Sequence, residues 1–448
     1  MSHRIRLPLL SATLLFCLAT SAVAQSTVRD FGAKGDGVAD DTAAIQKMVD
    51  SGVQSIHFPA GVYRLTKTIS IQLNEVGPVA ISGDGTATLK MEAAGPALQL
   101  IGTHAGTAAP QTVKPNVWEK QRTPLIDGLE IVGAHSEAVG IEINGAMQPT
   151  LTRLSVRKCL HGVVLTGRNR NVLVGECHLY ENSGVGLYLI DLNLHQINIA
   201  NSHISYNDAG GVVVRNSEIR NLHIGTCDIE ANMSVEHPEA ANVLFDVTAG
   251  SMREAAIVGC TIQHSSVPEC ANVRLLGQPE MPYKVGHVTI ADNVMCDVAY
   301  NIDLKHARSV TIVGNALFRA KEASIQAENC SNLVIGANVL DRILDYGPAN
   351  TNNSVRLIDC RDSTIQGLHI NGDADPEAAL KLTNCSRINV QGCTILDGKN
   401  YALWIDGGEK IRLSGCLFDG QGASKAIHKT GETESIQLDD VASISVEK

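Results

Sequence analysis

Short runs of alternating apolar and polar residues recur along most of the chain. Examples are VLVGECHL at 172–179, INIANSHI at 197–204 and INVQGCTI at 388–395. Ten such runs align between residues 172 and 418, at intervals of 22 to 33 residues. Alternation with a period of two predicts β-strands, and no helical period separates the runs. A repeat of this length predicts one solenoid and not several independent domains.

Each repeat contains three strand-like pieces. Two of them form the aligned run, and the third follows a turn, as in GLYLI at 186–190 and GVVVR at 211–215. Three short strands per repeat predict an all-β fold, a right-handed parallel β-helix in which each rung packs on the next. A TIM barrel or a doubly wound sheet would need helices between its strands. We therefore predict a single domain over residues 25–448, with regular rungs at 125–430.

The first 24 residues have the features of a secretory signal peptide. Arg4 and Arg6 precede an apolar stretch, and Ala22-Val23-Ala24 provides a cleavage site of small residues. We predict cleavage after Ala24 and export to the periplasm or the exterior. No other stretch approaches the ~20 apolar residues that a membrane span needs.

Composition narrows the class of protein. The 47 Asp and Glu exceed the 36 Lys and Arg, and the net charge of -11 argues against a nucleic-acid partner. Five of the 12 Cys occupy one aligned position of the repeat, and Cys330, Cys360 and Cys385 form a second column. This predicts stacked, buried free thiols. Disulfides between neighbouring rungs, ~4.8 Å apart, are the alternative. No C-x-x-C pair is present, so no metal site is predicted from the cysteines.

The segment before the repeats reads VRDFGAKGDGVADDTAAIQ at 28–46, followed by FPAGVY at 58–63. It resembles the opening motif of the pectate-lyase-like superfamily, in the branch shared by rhamnogalacturonases, mannuronan epimerases and phage tailspikes. The resemblance implies a right-handed β-helix that acts on an extracellular polysaccharide. It also implies a substrate groove along the sheet formed by the third strand of each rung.

The residues of this opening also predict a structural element. Asp40 or Asp41 can cap a helix whose apolar face is formed by Ile45, Met48 and Val49. Such a helix would close the end of the solenoid and protect its core, so residues 25–100 are predicted to form the cap and the first rungs.

Loop lengths indicate where the groove has its walls. The turns at 230–242 and 263–272 are long and lie on adjacent rungs, a further lengthening occurs at 277–284, and an insertion occupies 102–124. Alternation along the third strands then gives the residues that point outward. The candidate catalytic residues are Arg215, Asp246, Arg274, Asp303, Lys305, His237, Glu230 and Asp208. The candidate substrate-binding residues are Tyr188, His264, Tyr283 and Trp118. A ladder of salt bridges on a solvated sheet is the structural alternative.

These residue types suit the cleavage of a uronate chain by β-elimination. Arg215, Arg274 and Lys305 can neutralise the uronate carboxylate, and one of them or His237 can remove the C5 proton. Calcium bound by Asp246, Asp303 and Glu230 could share the neutralising role.

Two alternatives stay open. One is a glycoside hydrolase that uses Asp246 with Asp303, or Asp208 with Glu230. The polygalacturonase pattern is missing, since His161-Gly162 matches its Gly-His-Gly poorly. The other is a glycan-binding or structural β-helix without catalysis.

Overall fold

The structure is a computed structural model that describes residues 25–107, 109–265, 267–343, 352–373, 377–420 and 426–444. The predicted signal peptide lies outside the described residues. The described strands pair in parallel and form one continuous sheet of 37 strands, which winds into a β-helix. The predicted all-β solenoid is therefore confirmed. Among the described helices, none has the length and apolar character needed to cross a membrane.

The strands become regular after the first hundred residues. Up to residue 133 they are Asp36–Asp40, Ser55–His57, Gly61–Leu65, Ile69–Gln72, Ala80–Met91, Gly95–Ile101 and Leu125–Gly133. Up to residue 263 they are Ala138–Asn144, Thr150–Thr152, Ser155–Arg157, His161–Gly175, His178–Tyr180, Val185–Ala200, His203–Ser205, Gly210–Gly225, Asp228–Glu230, Ala241–Val258 and Thr261–Gln263. The remaining strands are Ala271–Leu276, Val285–Ala291, Val294–Cys296, Tyr300–Lys305, Arg308–Val313, Ala316–Phe318, Ala323–Glu328, Val334–Ile335, Val339–Asp341, Val355–Ile358, Arg361–Gln366, His369–Asp373, Ala378–Gln391, Thr394–Gly398, Tyr401–Ser414, Leu417–Gly420, Ile427–Glu434, Gln437–Asp439 and Ala442–Ile444.

The β-helix has three faces, each formed by one of the three strands of a rung. The first-strand sheet stacks residues 172–175, 197–200 and 222–225 with their equivalents. The second-strand sheet stacks 178–180, 203–205 and 228–230. The third-strand sheet stacks 185–190, 210–215, 241–246, 271–276 and 300–305. In the middle of the chain a third strand and the next first strand form one continuous strand, as in Val185–Ala200.

Helices are few and short. They are Val28–Phe31, Thr42–Asp50, Leu73–Val76, Pro110–Thr112, Val117–Gln121 and Pro282–Lys284. The predicted capping helix is confirmed as Thr42–Asp50, and its apolar face of Ile45, Met48 and Val49 is buried.

The two aspartates that were predicted to cap that helix make different hydrogen bonds at its start. Asp40 Oδ1 accepts the backbone N–H of Thr42 at 3.0 Å. Asp41 occupies the N-cap position, but its carboxylate accepts the backbone N–H groups of Lys34, at 2.6 Å, and Gly35, at 3.0 Å. The carboxylates therefore hold the glycine-rich turn against the helix, which explains why both acids occur in this motif.

The interior contains continuous columns of small polar residues among Ile, Leu and Val. In one column the side-chain amide of each Asn donates to the next at 2.6 to 2.9 Å, in the order Asn182, Asn207, Asn232, Asn242, Asn272 and Asn301. These amides are buried. Satisfying their hydrogen bonds along the axis removes the cost of burying them.

The aligned position of the repeat forms a second column. Backbone N–H groups of Cys177 and Cys260 donate to Ser202 and Asn293, one rung along. The eleven cysteines within the described residues are buried and free, so these thiols form no disulfides there. Burial raises the pKa of the Cys177 thiol to about 11, which keeps it protonated and unreactive.

Candidate functional site

The predicted register of the third-strand sheet is confirmed. Outward residues stack in two columns along consecutive rungs. One column contains Tyr188, Val213, Leu244, Arg274 and Asp303, and the other contains Ile190, Arg215, Asp246, Leu276 and Lys305. Successive members lie one strand spacing apart, ~4.8 Å. The charged side chains of these columns nevertheless have very different surroundings.

A continuous row of polar side chains crosses four rungs of this sheet. The rings of His161 and Tyr188 lie with their centroids 5.0 Å apart. Burial lowers the pKa of the Arg215 guanidinium, but the neighbouring Tyr188 and Asp246 outweigh this effect and raise it. Arg215 Nε is 3.0 Å from Asp246 Oδ2. We call these four residues the polar row. Beside them the buried side chains of Val164, Val213 and Leu244 pack with Tyr188, which is itself buried, in a small apolar cluster on the outer face of the sheet.

The two ends of the polar row are fixed by backbone and hydroxyl contacts. The backbone N–H of Val185 donates to His161 Nδ1 at 3.0 Å, so a neutral His161 ring carries its proton on Nε2. Burial lowers the pKa of His161 to about 4, so the ring is neutral near pH 7. At the other end, Thr248 Oγ1 donates to Asp246 Oδ1 at 2.7 Å. Arg215, with 34% of its side chain exposed, is therefore held in place while part of it faces solvent.

A second set of titratable residues lies on the turns that precede the third strands. Burial, together with the negative charge of Glu236, raises the pKa of Asp208, and the nearby His237 partly opposes this shift. His237 Nδ1 also lies 3.9 Å from Glu239 Oε1. Asp208, Glu236 and His237 thus lie near one another on these turns.

Arg274 and Asp303 are buried, with 8% and 4% of their side chains exposed. Arg274 Nε lies 2.8 Å from Asp303 Oδ2. The other guanidinium nitrogens donate to the backbone carbonyls of Glu239 and Glu269, in the two long turns. This pair holds both walls to the sheet, and it offers little surface to a substrate.

Other predicted residues lie apart from the polar row. Lys305 Nζ forms an exposed pair with Glu328 at 3.7 Å. Glu230 belongs to the second-strand sheet, where it accepts a hydrogen bond from Gln263 at 3.2 Å. The structure therefore does not bring Lys305 and Glu230 together with Arg215.

The predicted substrate-binding residues are also dispersed, apart from Tyr188. His264 is exposed, with Nδ1 4.0 Å from Asp297 Oδ2. Tyr283 is 53% exposed in the short helix Pro282–Lys284. Trp118 packs within the insertion, in a cluster with Val113, Val117 and Met147.

The carboxylates predicted as calcium ligands do not converge. Asp246 is engaged by Arg215 and Thr248, Asp303 is paired with Arg274, and Glu230 lies on another face. Within the part of the chain that the structure describes, no group of three His, Cys, Asp or Glu side chains is arranged to hold a metal ion. The residues present do not fit a calcium site built from these three carboxylates.

His161 is the residue of the polar row that the sequence analysis did not select. The outward positions were counted from the middle of each third strand, where Val163 points inward, and His161 lies at the start of its strand, in register with Val185. Strict alternation gives His161 the inward phase of Val163 and so does not select it. The alternation breaks at the start of the strand, where Val185 packs with the outward Tyr188.

Comparisons with known proteins agree with this architecture. Residues 26–223 match the family model described as rhamnogalacturonase A/epimerase, pectate lyase-like, and residues 284–440 match a right-handed β-helix region. The pre-neck appendage protein of Bacillus phage phi29 is 22% identical over 405 residues, which cover 86% of this chain and 42% of that protein. Mannuronan C5-epimerase AlgE5 of Azotobacter vinelandii is 54% identical over 43 residues, 9% of this chain and 4% of the epimerase.

A solved structure extends the likeness of fold over most of the chain. The pre-mature gene product 12 of bacteriophage phi29 superposes with a TM-score of 0.55 and 13% identity, covering 94% of this chain and 57% of that one. The chain spans less than half the length of the curated relatives cited above. The predicted resemblance to the pectate-lyase-like β-helices is confirmed, and the chain has the fold of the carbohydrate-active and tailspike-like proteins.

Proposed function

We propose that the chain, whose residues 26–223 match the rhamnogalacturonase A/epimerase, pectate lyase-like family model, is a secreted protein that cleaves a uronate-containing polysaccharide by β-elimination. The observation that carries the proposal is the polar row, in which a partly exposed arginine lies next to a tyrosine and a neutral histidine. An arginine can neutralise the uronate carboxylate, and a tyrosine beside it can move the C5 proton.

Each residue of the row has a distinct role in this reaction. The guanidinium of Arg215 pairs with the C6 carboxylate and stabilises the negative charge that develops when C5 loses its proton. Tyr188 carries that proton: its phenolic oxygen takes up the C5 proton as its own hydroxyl proton passes to the departing O4, so the residue ends the step unchanged. The C5 electron pair forms the C4–C5 double bond, the C4–O4 bond breaks, and the departing O4 is protonated by the Tyr188 hydroxyl.

Asp246 and His161 act on these groups. Asp246 orients Arg215 through the 3.0 Å contact with Nε and leaves the rest of the guanidinium for the substrate. His161 is a hydrogen-bond donor in this scheme, since its Nδ1 accepts from Val185 and its proton lies on Nε2. A neutral donor beside the carboxylate stabilises the transition state without taking up the C5 proton itself.

Glycoside hydrolysis is the second candidate, and one observation favours it. The raised pKa of Asp208 beside Glu236 is what a general acid paired with a second carboxylate shows. In that reaction Asp208 protonates the glycosidic oxygen and Glu236 activates water. We rank it second because elimination uses a connected set of residues on the sheet, whereas these two acids lie on turns.

The test is incubation of the purified protein with alginate, pectin and rhamnogalacturonan in D₂O. Elimination produces chain ends with the ultraviolet absorbance of an unsaturated uronate. New reducing ends without that absorbance would indicate hydrolysis. Deuterium at C5 without chain cleavage would indicate epimerisation, which begins with the same proton removal. Binding without any of these products would support a role without catalysis.

Variants then separate the two sites. Tyr188→Phe and Arg215→Ala should each reduce elimination at least about a hundredfold, as expected for a lost general base or charge-stabilising group. Lys305→Met is the matched control, because Lys305 lies on the same sheet in an exposed pair. Full activity of Arg215→Ala, or loss on Asp208→Asn with Tyr188→Phe unaffected, would contradict the assignment.

A further inference from the structure

A groove on another face of the β-helix has the features of a ligand site. It lies on the first-strand sheet and the corner before it, and its volume is about 500 Å³. Five of its lining side chains carry amides: Gln148, Asn171, Gln196, Asn198 and Asn221. We call it the amide groove. It shares no lining residue with the polar row of the third-strand sheet.

Four of these amides occupy one repeated backbone position. Gln148, Asn171, Gln196 and Asn221 all have positive φ, between 55° and 67°, at the corner that leads into the first strand. Their neighbours stack rung on rung in parallel register. The four side chains therefore repeat along the axis at the strand spacing of ~4.8 Å.

The hydrogen-bonding capacity of these amides is unused. The interior Asn column is bonded from rung to rung, as described above. By contrast, the side-chain amides of Gln148, Gln196 and Asn221 form no hydrogen bond to another residue in the described part of the chain. Asn171 Oδ1 is buried without a partner among the described residues. A buried, unpaired acceptor is unfavourable unless water or a ligand supplies a donor.

The groove also has an apolar component and no carboxylate. Leu173 is 46% exposed and lies in the lining, beside Asn198 and His223. A surface of amides around an exposed aliphatic side chain suits a ligand with hydroxyl groups on its edges and C–H groups on its faces. A regular series of amides suits a polymer, because the same contact can repeat at each rung.

We propose that the amide groove binds a polysaccharide chain through its hydroxyl groups, as a second glycan site distinct from the polar row. Thr123, near the end of the insertion at 102–124, belongs to the lining of the groove. The site retains polymer on the protein and does not take part in bond cleavage. It holds whether the polar row performs elimination, hydrolysis or no reaction.

The test removes two amides without disturbing the backbone. In Gln196→Gly/Asn221→Gly both corners keep a residue that adopts positive φ without strain. Asn332→Gly is the matched control, because Asn332 has a φ of 53° at the equivalent corner, several rungs beyond the groove. Binding of alginate, an acidic polymer, and of dextran, a neutral one, is measured by affinity electrophoresis and calorimetry, at low and high salt.

We expect the double variant to bind at least one of these polymers about tenfold more weakly or worse, and the control to bind as the unaltered chain does. The weakened component should persist at high salt, because hydroxyl–amide hydrogen bonds are not screened as ion pairs are. Cleavage of short oligosaccharides should not change. In an Arg215→Ala background the same tenfold loss should appear, which distinguishes this site from the polar row.

Three results would overturn the proposal. One is binding of both polymers that the double variant leaves unchanged. Another is binding that salt abolishes completely. The third is a change of oligomeric state in the double variant, measured by sedimentation, which would assign the groove to contact with a second copy of this chain. Thermal unfolding of each variant confirms that the fold is retained.

Discussion

Replacing Arg274 by methionine tests the role of the buried ion pair beneath the groove walls. The substitution keeps the length of the side chain but removes the 2.8 Å contact with Asp303 and the bonds to the carbonyls of Glu239 and Glu269. Asp303 then stays buried as an uncompensated carboxylate, with 4% of its side chain exposed. We therefore expect a large loss of stability that is concentrated in the two walls.

The magnitude follows from the burial of the pair. Breaking a buried ion pair from one side costs about 3–5 kcal/mol, most of it the penalty of the remaining charge. The lost carbonyl bonds add to this, although water can replace them once the turns open. The comparison variant is Lys305→Met, whose exposed pair with Glu328 is worth about 0–1 kcal/mol. Both substitutions replace a cationic side chain with methionine, and they differ in the burial of the ion pair and in the number of hydrogen bonds that are lost.

Urea unfolding gives the free-energy change, and hydrogen exchange read by mass spectrometry locates it. Protection should fall first in the turns at 231–240 and 264–270, because repeat structures lose stability locally. Arg274→Met/Asp303→Leu should recover part of the loss, since both charges are then absent. If Arg274→Met lowers the free energy of unfolding by less than about 1 kcal/mol and leaves hydrogen exchange in both turns unchanged, the ion pair does not hold the walls to the sheet. If both turns stay protected in Arg274→Met while cleavage of the polysaccharide is lost, Arg274 acts in catalysis.

Two further predictions concern titratable groups. Since the pKa of His161 is lowered to about 4, its neutral form stabilises the fold fully above the unfolded pKa of ~6.5, and this stabilisation, at most about 3 kcal/mol, is lost as the pH falls towards 4. Unfolding free energies measured between pH 7 and pH 4 should therefore decline less in His161→Gln, and equal slopes would contradict the burial of the ring. The eleven buried cysteines should resist a thiol reagent in the native protein and all react in denaturant, whereas a lower count in denaturant under non-reducing conditions would show that stacked thiols have formed disulfides.

Much of the fold was predictable because the rungs of a solenoid repeat in structure and the sequence repeats with the same period. The strand register of the third-strand sheet, the capping helix at Thr42–Asp50 and the stacked cysteines follow from spacing and alternation alone. Each depends on residues close in sequence or one repeat apart, and parallel rungs bring equivalent positions together. The structure pairs Arg215 with Asp246 and Arg274 with Asp303, which are contacts of the kind that the alternative of a salt-bridge ladder predicts.

The environment of these charges was not predictable. Two Arg–Asp pairs on adjacent columns look alike in the sequence, yet one is partly exposed beside Tyr188 and the other is sealed beneath two turns. The conformation of those turns does not follow from the repeat. Loop length therefore indicated that the groove has walls, but not which side chains the walls cover. The amide groove was missed for a related reason, because unused hydrogen-bonding capacity is known only when every neighbour is placed.

The sequence by itself therefore determined the β-helix, its capping helix and the columns of residues that stack along its faces. The tertiary structure decided which members of those columns are accessible and which are buried in ion pairs that hold the turns. It also decided which side chains meet across rungs, as those of His161 and Tyr188 do. The physical reason is that register is set by local periodicity, whereas burial and charge environment depend on irregular turns that contact the sheet from distant points in the chain.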